Sequence, residues 1–228
     1  MKKLSIIIPV YNEEKTIAKA IDSVLGIQLP GWQKEIIIVN DGSSDTTGEI
    51  LASLKRKVQV IHKKVNEGKG SALQAGFKAA DGDIVLVQDA DLEYSPNDYP
   101  ILLAPFENDQ VDIVYGSRFL GAHLSTMFVY ELGNKFVTLI TNILFNTNIT
   151  DMETGFKVFR KAVLRDITVT AKRFDVEPEI TAKVLKKGYQ IYEVPISYFG
   201  RTFSDGKKLT WRDGIVAFWT LIKLRLTS

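Results

Sequence analysis

Asp89 and Asp91 flank a single alanine directly after the apolar run Ile84 to Val87. At the end of a β-strand alternate residues point the same way, so both carboxylates can converge on one cation. Glu93, two residues further on, can add a third oxygen. A carboxylate-rich set of this kind prefers a hard divalent ion, Mg2+ or Mn2+, over zinc. A lone Asp-x-Asp also occurs in ordinary solvated turns, so its meaning depends on the loops beside it.

Three such loops follow predicted strands. Pro9-Val10-Tyr11-Asn12-Glu13 ends the first strand, where Pro9, Tyr11 and Glu13 can meet a base and ribose, Tyr11 offering a stacking face. A plainer reading is a loop that places Glu13 in the first turn of a helix, where its charge suits the macrodipole. Asn40-Asp41-Gly42-Ser43-Ser44-Asp45 ends the second, where Asp41 can accept from a base or a ribose hydroxyl and Asp45 can cap a helix. Asn66-Glu67-Gly68-Lys69-Gly70-Ser71 leads into a helix; Gly68 permits close backbone approach and Lys69 can neutralise a phosphate. It is not a Walker loop, because Lys63 and Gly70 stand where that pattern needs a glycine and a hydroxyl. No Gly-x-Gly-x-x-Gly follows the first strand, which argues against a dinucleotide-dependent dehydrogenase.

The elements that must hold these loops alternate. Leu4 to Val10, Glu35 to Asn40, Val58 to His62, Ile84 to Gln88 and Val111 to Tyr115 read as strands. Glu13 to Leu25, Thr46 to Lys55, Ser71 to Ala80 and Asn97 to Asn108 read as helices between them. Such a series predicts an α/β, Rossmann-like, mostly parallel sheet with helices on both faces and ligands beyond the carboxyl ends of its strands. Further on, helices are expected at Val129 to Asn146, Glu177 to Lys187 and Arg212 to Leu226, and strands at Phe156 to Arg160 and Gln190 to Val194. The 228 residues suit one domain, divided as 1–117 (the half that carries these loops), 118–200 and 201–228 (C-terminal loop and amphipathic helix). A net charge of +2 gives no global basic field for nucleic acid, and the absence of cysteine excludes disulfides and thiolate metal sites. Met1 through Pro9 reads as a strand rather than a cleaved leader. Met127 to Asn146, the nearest candidate membrane span, carries Glu131, Asn134, Lys135 and Asn142, so no transmembrane helix is expected.

Taken together, Ser5 to Glu14, Asn40 to Asp45, Gly68 to Phe77, Gln88 to Tyr94, Gly116 to Phe119, Asp151 to Arg160 and Phe174 to Lys187 resemble, in order, the blocks of family 2 glycosyltransferases of GT-A architecture. The closest resemblance is to the dolichyl-phosphate mannose synthase-like group, and it extends to Gly200-Arg201. It implies that Pro9, Tyr11, Glu13 and Asp41 hold the nucleoside, that Asp89 and Asp91 hold the diphosphate-bound metal, and that Arg118 and Arg201 hold phosphate groups of acceptor and donor. This chain has Glu93 where many relatives have glutamine, and Leu124 where many have a basic residue.

The activity so implied is inverting transfer of a hexose, mannose or glucose, from GDP-mannose or UDP-glucose to a polyprenyl (dolichyl or undecaprenyl) phosphate. A lipid phosphate is already anionic near neutral pH and needs no general base. A sugar-hydroxyl acceptor would need one, and Asp151 or Glu153 is available for that task; alternatively, they cap the loop or hold Arg118 on the acceptor side. A third reading is a noncatalytic nucleotide-sugar-binding protein, against which the intact Asp89 and Asp91 argue. Val129, Leu132, Phe136, Leu139, Ile140 and Ile143 follow helical spacing, as do Ile215, Phe218, Trp219 and Ile222 beside Lys223 and Arg225. Such stripes are core or an interfacial face. The resemblance favours peripheral attachment at the cytoplasmic face of a membrane, alone or through a membrane-anchoring partner subunit.

Overall fold

A computed structural model describes residues 1–54, 58–121, 128–200 and 211–227. Strands β1 (Lys2–Val10), β2 (Trp32–Asn40), β3 (Gln59–His62), β4 (Ile84–Val87), β5 (Ile113–Ser117), β6 (Lys157–Arg160) and β7 (Ile191–Pro195) join in one sheet of order β3-β2-β1-β4-β6-β5-β7. All pairings are parallel except those of β6, which runs antiparallel to both β4 and β5. The mostly parallel sheet is as the sequence predicts. Strands from beyond residue 117 complete it, and β6 inserts between two strands of the first half.

Helices α1 (Ile17–Gly26), α2 (Thr47–Ser53) and α4 (Tyr99–Leu103) cover one face. There Leu4, Ile6 and Ile8 of β1 pack with Ile17, Ile21, Leu51 and Leu102. Helices α3 (Lys69–Ala79), α6 (Lys161–Asp166) and α7 (Val176–Lys186) cover the other, where Ile7, Ile37 and Val85 meet Leu73, Val163 and Ile180. From Leu4 to Val10, β1 is therefore apolar at every buried position but Ser5, whose hydroxyl donates to Glu35 and accepts from Gly82 N–H.

Helices α5 (Phe128–Phe145) and α8 (Trp211–Leu226) form an outer layer against α7. Their shared seam is Val137, Ala182, Ala217 and Leu221, with Ile149 and Met152 of an adjoining loop. No helix of the described residues is long and apolar enough to cross a membrane.

Two expected helices differ. Asn97 to Asn108 is a short α4 flanked by 3-10 turns at Pro96–Asp98 and Ala104–Glu107. Pro100 and Pro105 donate no backbone hydrogen bond, and Pro105 cannot continue an α-helical ladder. α1 begins at Ile17 rather than Glu13, because Asn12 takes a left-handed φ of 50° and residues 13–16 form a turn closed by Thr16 and Ile17 N–H on the Glu13 carbonyl.

Candidate active site

The site lies at the carboxyl ends of the parallel strands, where β1 and β4 part. Ile7 directs its carbonyl to β4 and accepts from Gln88 N–H at 2.9 Å, while Val10 directs its carbonyl to β2 and accepts from Asp41 N–H at 2.9 Å. By that alternation Pro9 faces β4 just past the last paired residues, Ile7 and Val87, where its missing N–H costs little. The loops beyond are stitched together. Asn12 N–H donates to Ser43 Oγ (3.0 Å), Ser44 N–H donates to Asn12 Oδ1 (2.8 Å), and Glu13 N–H donates to Thr47 Oγ1 (2.9 Å). Pro9, Tyr11, Glu13 and Asp41 thus share one edge. Asp41 is buried and organises the next loop: it accepts from Gly68 N–H (2.6 Å), Glu67 N–H (3.2 Å) and Lys63 Nζ (2.6 Å).

In that next loop the glycines meet a segment distant in sequence. Gly68 has φ of 102°, and a Cβ there would lie 2.5 Å from the Lys172 carbonyl; at Gly70 it would lie 2.2 Å from the Ala171 carbonyl. The glycines admit the close approach of the backbone of residues 171–173. Lys69 is likewise engaged, pairing with Asp89 Oδ1 at 2.7 Å and Glu177 Oε1 at 3.0 Å. Burial opposes its charge, yet the two carboxylates hold its ammonium well above the ordinary lysine range.

Asp89 and Asp91 stand partly exposed on either side of buried Ala90, the alternation expected of a strand end. Gln88 fixes the turn from below: its amide donates to the Asp89 carbonyl (2.9 Å) and its Oε1 accepts from Tyr99 OH (2.8 Å). Leu92 takes φ of 67°, reversing the chain, and Glu93 N–H donates to Asp91 Oδ1 (3.1 Å). Glu93 itself turns inward: it is buried, and its Oε2 accepts from Tyr198 OH at 2.7 Å. Among the described residues no group of three or more histidine, cysteine or acidic side chains already converges, and the Glu93 carboxylate is spent on Tyr198 while Asp89 and Asp91 remain partly accessible. Two partly accessible carboxylates on one edge fit a hard divalent cation whose other oxygens come from a diphosphate.

The other side of the site is built around Arg118, one residue past β5. Its Nε and Nη2 donate to the two oxygens of Asp151 at 2.7 Å each, and its N–H adds a third bond at 3.0 Å. Asp151 is wholly buried. The guanidinium lies 5.2 Å from the Tyr198 ring centroid, and Tyr198 pairs backbone-to-backbone with Tyr94, tying this segment to the aspartate turn. Glu193 of β7 sets the loop before Asp151, accepting from Thr150 N–H (2.8 Å) and Asp151 N–H (3.1 Å). Buried Lys157 pairs with Glu177 Oε2 at 2.8 Å. Burial opposes charge on Glu177, but Lys157 and Lys69 hold its carboxyl below the usual range. Glu153, between these pairs in sequence, is pushed up to about 7, first by burial and then by the charge of Glu177. Arg201 and positions 123–124 lie outside the described residues.

Lys157, Glu177, Gln88, Tyr94 and Glu193 were not singled out from the sequence. Glu177 had one available signal, its place in a matched block, but its neighbours in α7 are buried almost continuously and periodicity hides it.

These features define the class. In fold the chain is GT-A: it superposes on glucosyl-3-phosphoglycerate synthase of Mycobacterium tuberculosis, crystallised with Mn2+, UDP and phosphoglyceric acid, with a TM-score of 0.76 at 20% identity, over 100% of this chain and 80% of that one. The family model for glycosyl transferase family 2 matches residues 5–168, and the chain belongs to that family. The UDP-N-acetylglucosamine–dolichyl-phosphate N-acetylglucosaminyltransferase of Methanococcus voltae is 29% identical over 99% of this chain and 97% of its own length. The dolichol-phosphate mannosyltransferase of Pyrococcus furiosus is 33% identical over 90% of this chain, which spans 59% of that protein. A dolichyl-phosphate beta-glucosyltransferase of Trichomonas vaginalis is 29% identical over 98% of this chain and 73% of its own.

Proposed function

We propose that this chain transfers a hexose from a nucleotide diphosphate sugar to the phosphate of a polyprenyl lipid, inverting the anomeric centre in one displacement. The observation that carries the acceptor is the state of Asp151: both its oxygens are committed to Arg118, which fits it to orient a phosphate-binding guanidinium and unfits it as a general base. Names of the relatives support the same acceptor class, each being a transferase to dolichyl phosphate.

Pro9, Tyr11, Glu13 and Asp41 line the nucleoside side, with Gly68 and Lys69 shaping the floor and Asp89 beside them. Asp89 and Asp91 would hold Mg2+ or Mn2+, which supplies charge neutralisation to the departing diphosphate. Arg118, with Asp151 and Glu153 behind it, sits on the acceptor phosphate, and Arg201 is assigned to phosphate by resemblance. The phosphate oxygen arrives already anionic, so the chain's task is to aim it at the anomeric carbon and exclude water. GDP-mannose and UDP-glucose are the donors favoured, GDP-mannose first.

A peripheral site at the cytoplasmic face of a membrane is supported by the outer layer. Phe128, Val129, Leu132, Phe136, Leu139 and Ile143 of α5 and Trp219 of α8 are each more than half exposed, beside Lys223 and Arg225. The amphipathic stripes therefore face outward, a basic-rimmed apolar surface of the kind that lies in a bilayer interface, with or without an anchoring partner subunit.

Incubation with labelled nucleotide sugars and polyprenyl phosphate in detergent should yield a lipid-linked sugar, abolished by chelation and restored by Mg2+ or Mn2+. Transfer solely to soluble glycans would overturn the acceptor. A thermal-shift panel of GDP, UDP and their sugars with Mn2+ identifies the donor, since a ligand at 100 times its Kd adds about 2.7 kcal/mol of stability.

A further inference from the structure

The loop after Asp151 holds a partly buried acid, Glu153, that the displacement itself leaves unused. Glu153 Oε1 is buried and accepts no hydrogen bond among the described residues. Its backbone is clamped on both sides, because Lys157 Nζ donates to the Met152 carbonyl (2.9 Å) and the Thr154 carbonyl (2.5 Å), while Met152 N–H donates to Thr138 Oγ1 of α5 (3.2 Å). Thr154 is fixed in turn by its bond to the Gly116 carbonyl (2.5 Å).

The charges acting on it come from every neighbouring element: Glu177 of α7, Lys157 of β6, Arg118 after β5, and Asp151 in its own loop. Each cation already has a carboxylate, Arg118 with Asp151 and Lys157 with Glu177. These four charges cancel, so an ionised Glu153 would be an unmatched negative charge with one oxygen held out of water. Its carboxyl, pushed up to about 7, follows from that arrangement.

We infer that Glu153 is an acceptor-recognition residue that works as the neutral acid, donating its carboxyl proton in a hydrogen bond to a phosphate oxygen held beside Arg118. A neutral carboxylic acid is a strong donor to an anion, whereas its carboxylate has no proton to give and repels the same oxygen. The orphan oxygen and the cancelled charges then have one purpose: the subsite admits a dianion while Glu153 keeps its proton and rejects it once the proton leaves. This rests on the phosphate-acceptor reading above and deepens it.

The experiment compares wild type, Glu153→Gln and Glu153→Ala from pH 6.5 to 8.5, measuring KM for polyprenyl phosphate in detergent at saturating donor. Wild-type acceptor KM should rise roughly fivefold between pH 7 and pH 8, the course expected for a required proton lost near pH 7. Glu153→Gln, which keeps a donor and cannot ionise, should hold the low-pH KM across the range. Glu153→Ala should show a raised KM with no slope, and donor KM should follow neither substitution. An equal slope in wild type and Glu153→Gln overturns the inference. So does a collapse of kcat in Glu153→Gln at unchanged KM, which would make Glu153 a general base. Carbon-13 NMR of the wild-type Glu153 carboxyl reads its titration without any acceptor, and ionisation at an ordinary glutamate pH also overturns it. Absence of lipid product from wild type, with the carboxyl still titrating near 7, instead removes the phosphate-acceptor reading.

Discussion

Removing the carboxylate of Asp151 strands Arg118, a guanidinium only 11% exposed, with its Nε and one Nη partner gone. A buried charge left alone costs about 3–5 kcal/mol, so Asp151→Ala should lower the free energy of unfolding, read by chemical denaturation, by that much as well as weaken acceptor binding. Asp91→Asn should behave oppositely. The amide oxygen can still accept from Glu93 N–H, and the residue is partly exposed, so stability should hold within about 0.5 kcal/mol. Turnover should fall on the order of 100-fold or more, because the charge facing the diphosphate is lost. Equal loss of stability and turnover in that variant would remove Asp91 from the chemistry. Glu153 gives a pH signature in stability alone. Its folded value of about 7 exceeds the ordinary 4.5, so between these the unfolded chain ionises first and stability falls as pH rises. The full penalty, on the order of 3 kcal/mol, is present above pH 7 and absent below 4.5. Chemical denaturation at pH 4.5 and pH 8 should show that pH-dependent loss in wild type and not in Glu153→Gln.

At the scale of elements, the start of α3 decides the geometry of Lys69. Gly70→Ala would place a methyl group 2.2 Å from the Ala171 carbonyl, a backbone atom that cannot step aside cheaply. Over-packing of this sort costs about 1–3 kcal/mol, and because α3 also aims Lys69 at Asp89, donor binding should weaken alongside the melting temperature. Unchanged donor affinity in a destabilised Gly70→Ala would separate the two. The loop's glycines were visible in sequence, but their reason was not: 171–173 is about a hundred residues away along the chain, and nothing local records its approach. The prolines of Asn97 to Asn108 were equally visible, and they shortened a helix that apolar spacing alone had drawn too long. β6 was recognised as a strand, whereas its antiparallel insertion between β4 and β5 is a matter of pairing that no strand's own pattern specifies.

For the whole molecule, the outward apolar surface of α5 and α8 adjoins the acceptor loop through Met152, which packs in the seam between those helices. If that face lies on a bilayer as proposed, a lipid phosphate at its surface would meet Arg118 and Glu153 at the edge of the face. Replacing Leu139 and Trp219 together by glutamate should leave folding intact, since both are over half exposed. It should cut partition to vesicles on the order of 100-fold, each large side chain being worth about 1.5–3 kcal/mol when buried. Transfer to an acceptor in vesicles should fall with it, and transfer to a short, water-soluble prenyl phosphate should not. Retained vesicle binding in that variant would assign the surface to another occupant.

The sequence by itself determined the alternating architecture, the strand ends that carry chemistry and the aspartate pair, because two-residue and helical periodicities and strand-terminal loops are local properties of the chain. It also determined the family, through blocks that keep their order. Only the tertiary structure decided which charged side chains serve the site by holding others: Lys69 between Asp89 and Glu177, Asp151 under Arg118, Glu93 turned to Tyr198, and Glu153 left with a lone buried oxygen. The cause is electrostatic. The state of a carboxylate depends on burial and on charges brought from distant parts of the chain, and those are set when the sheet assembles.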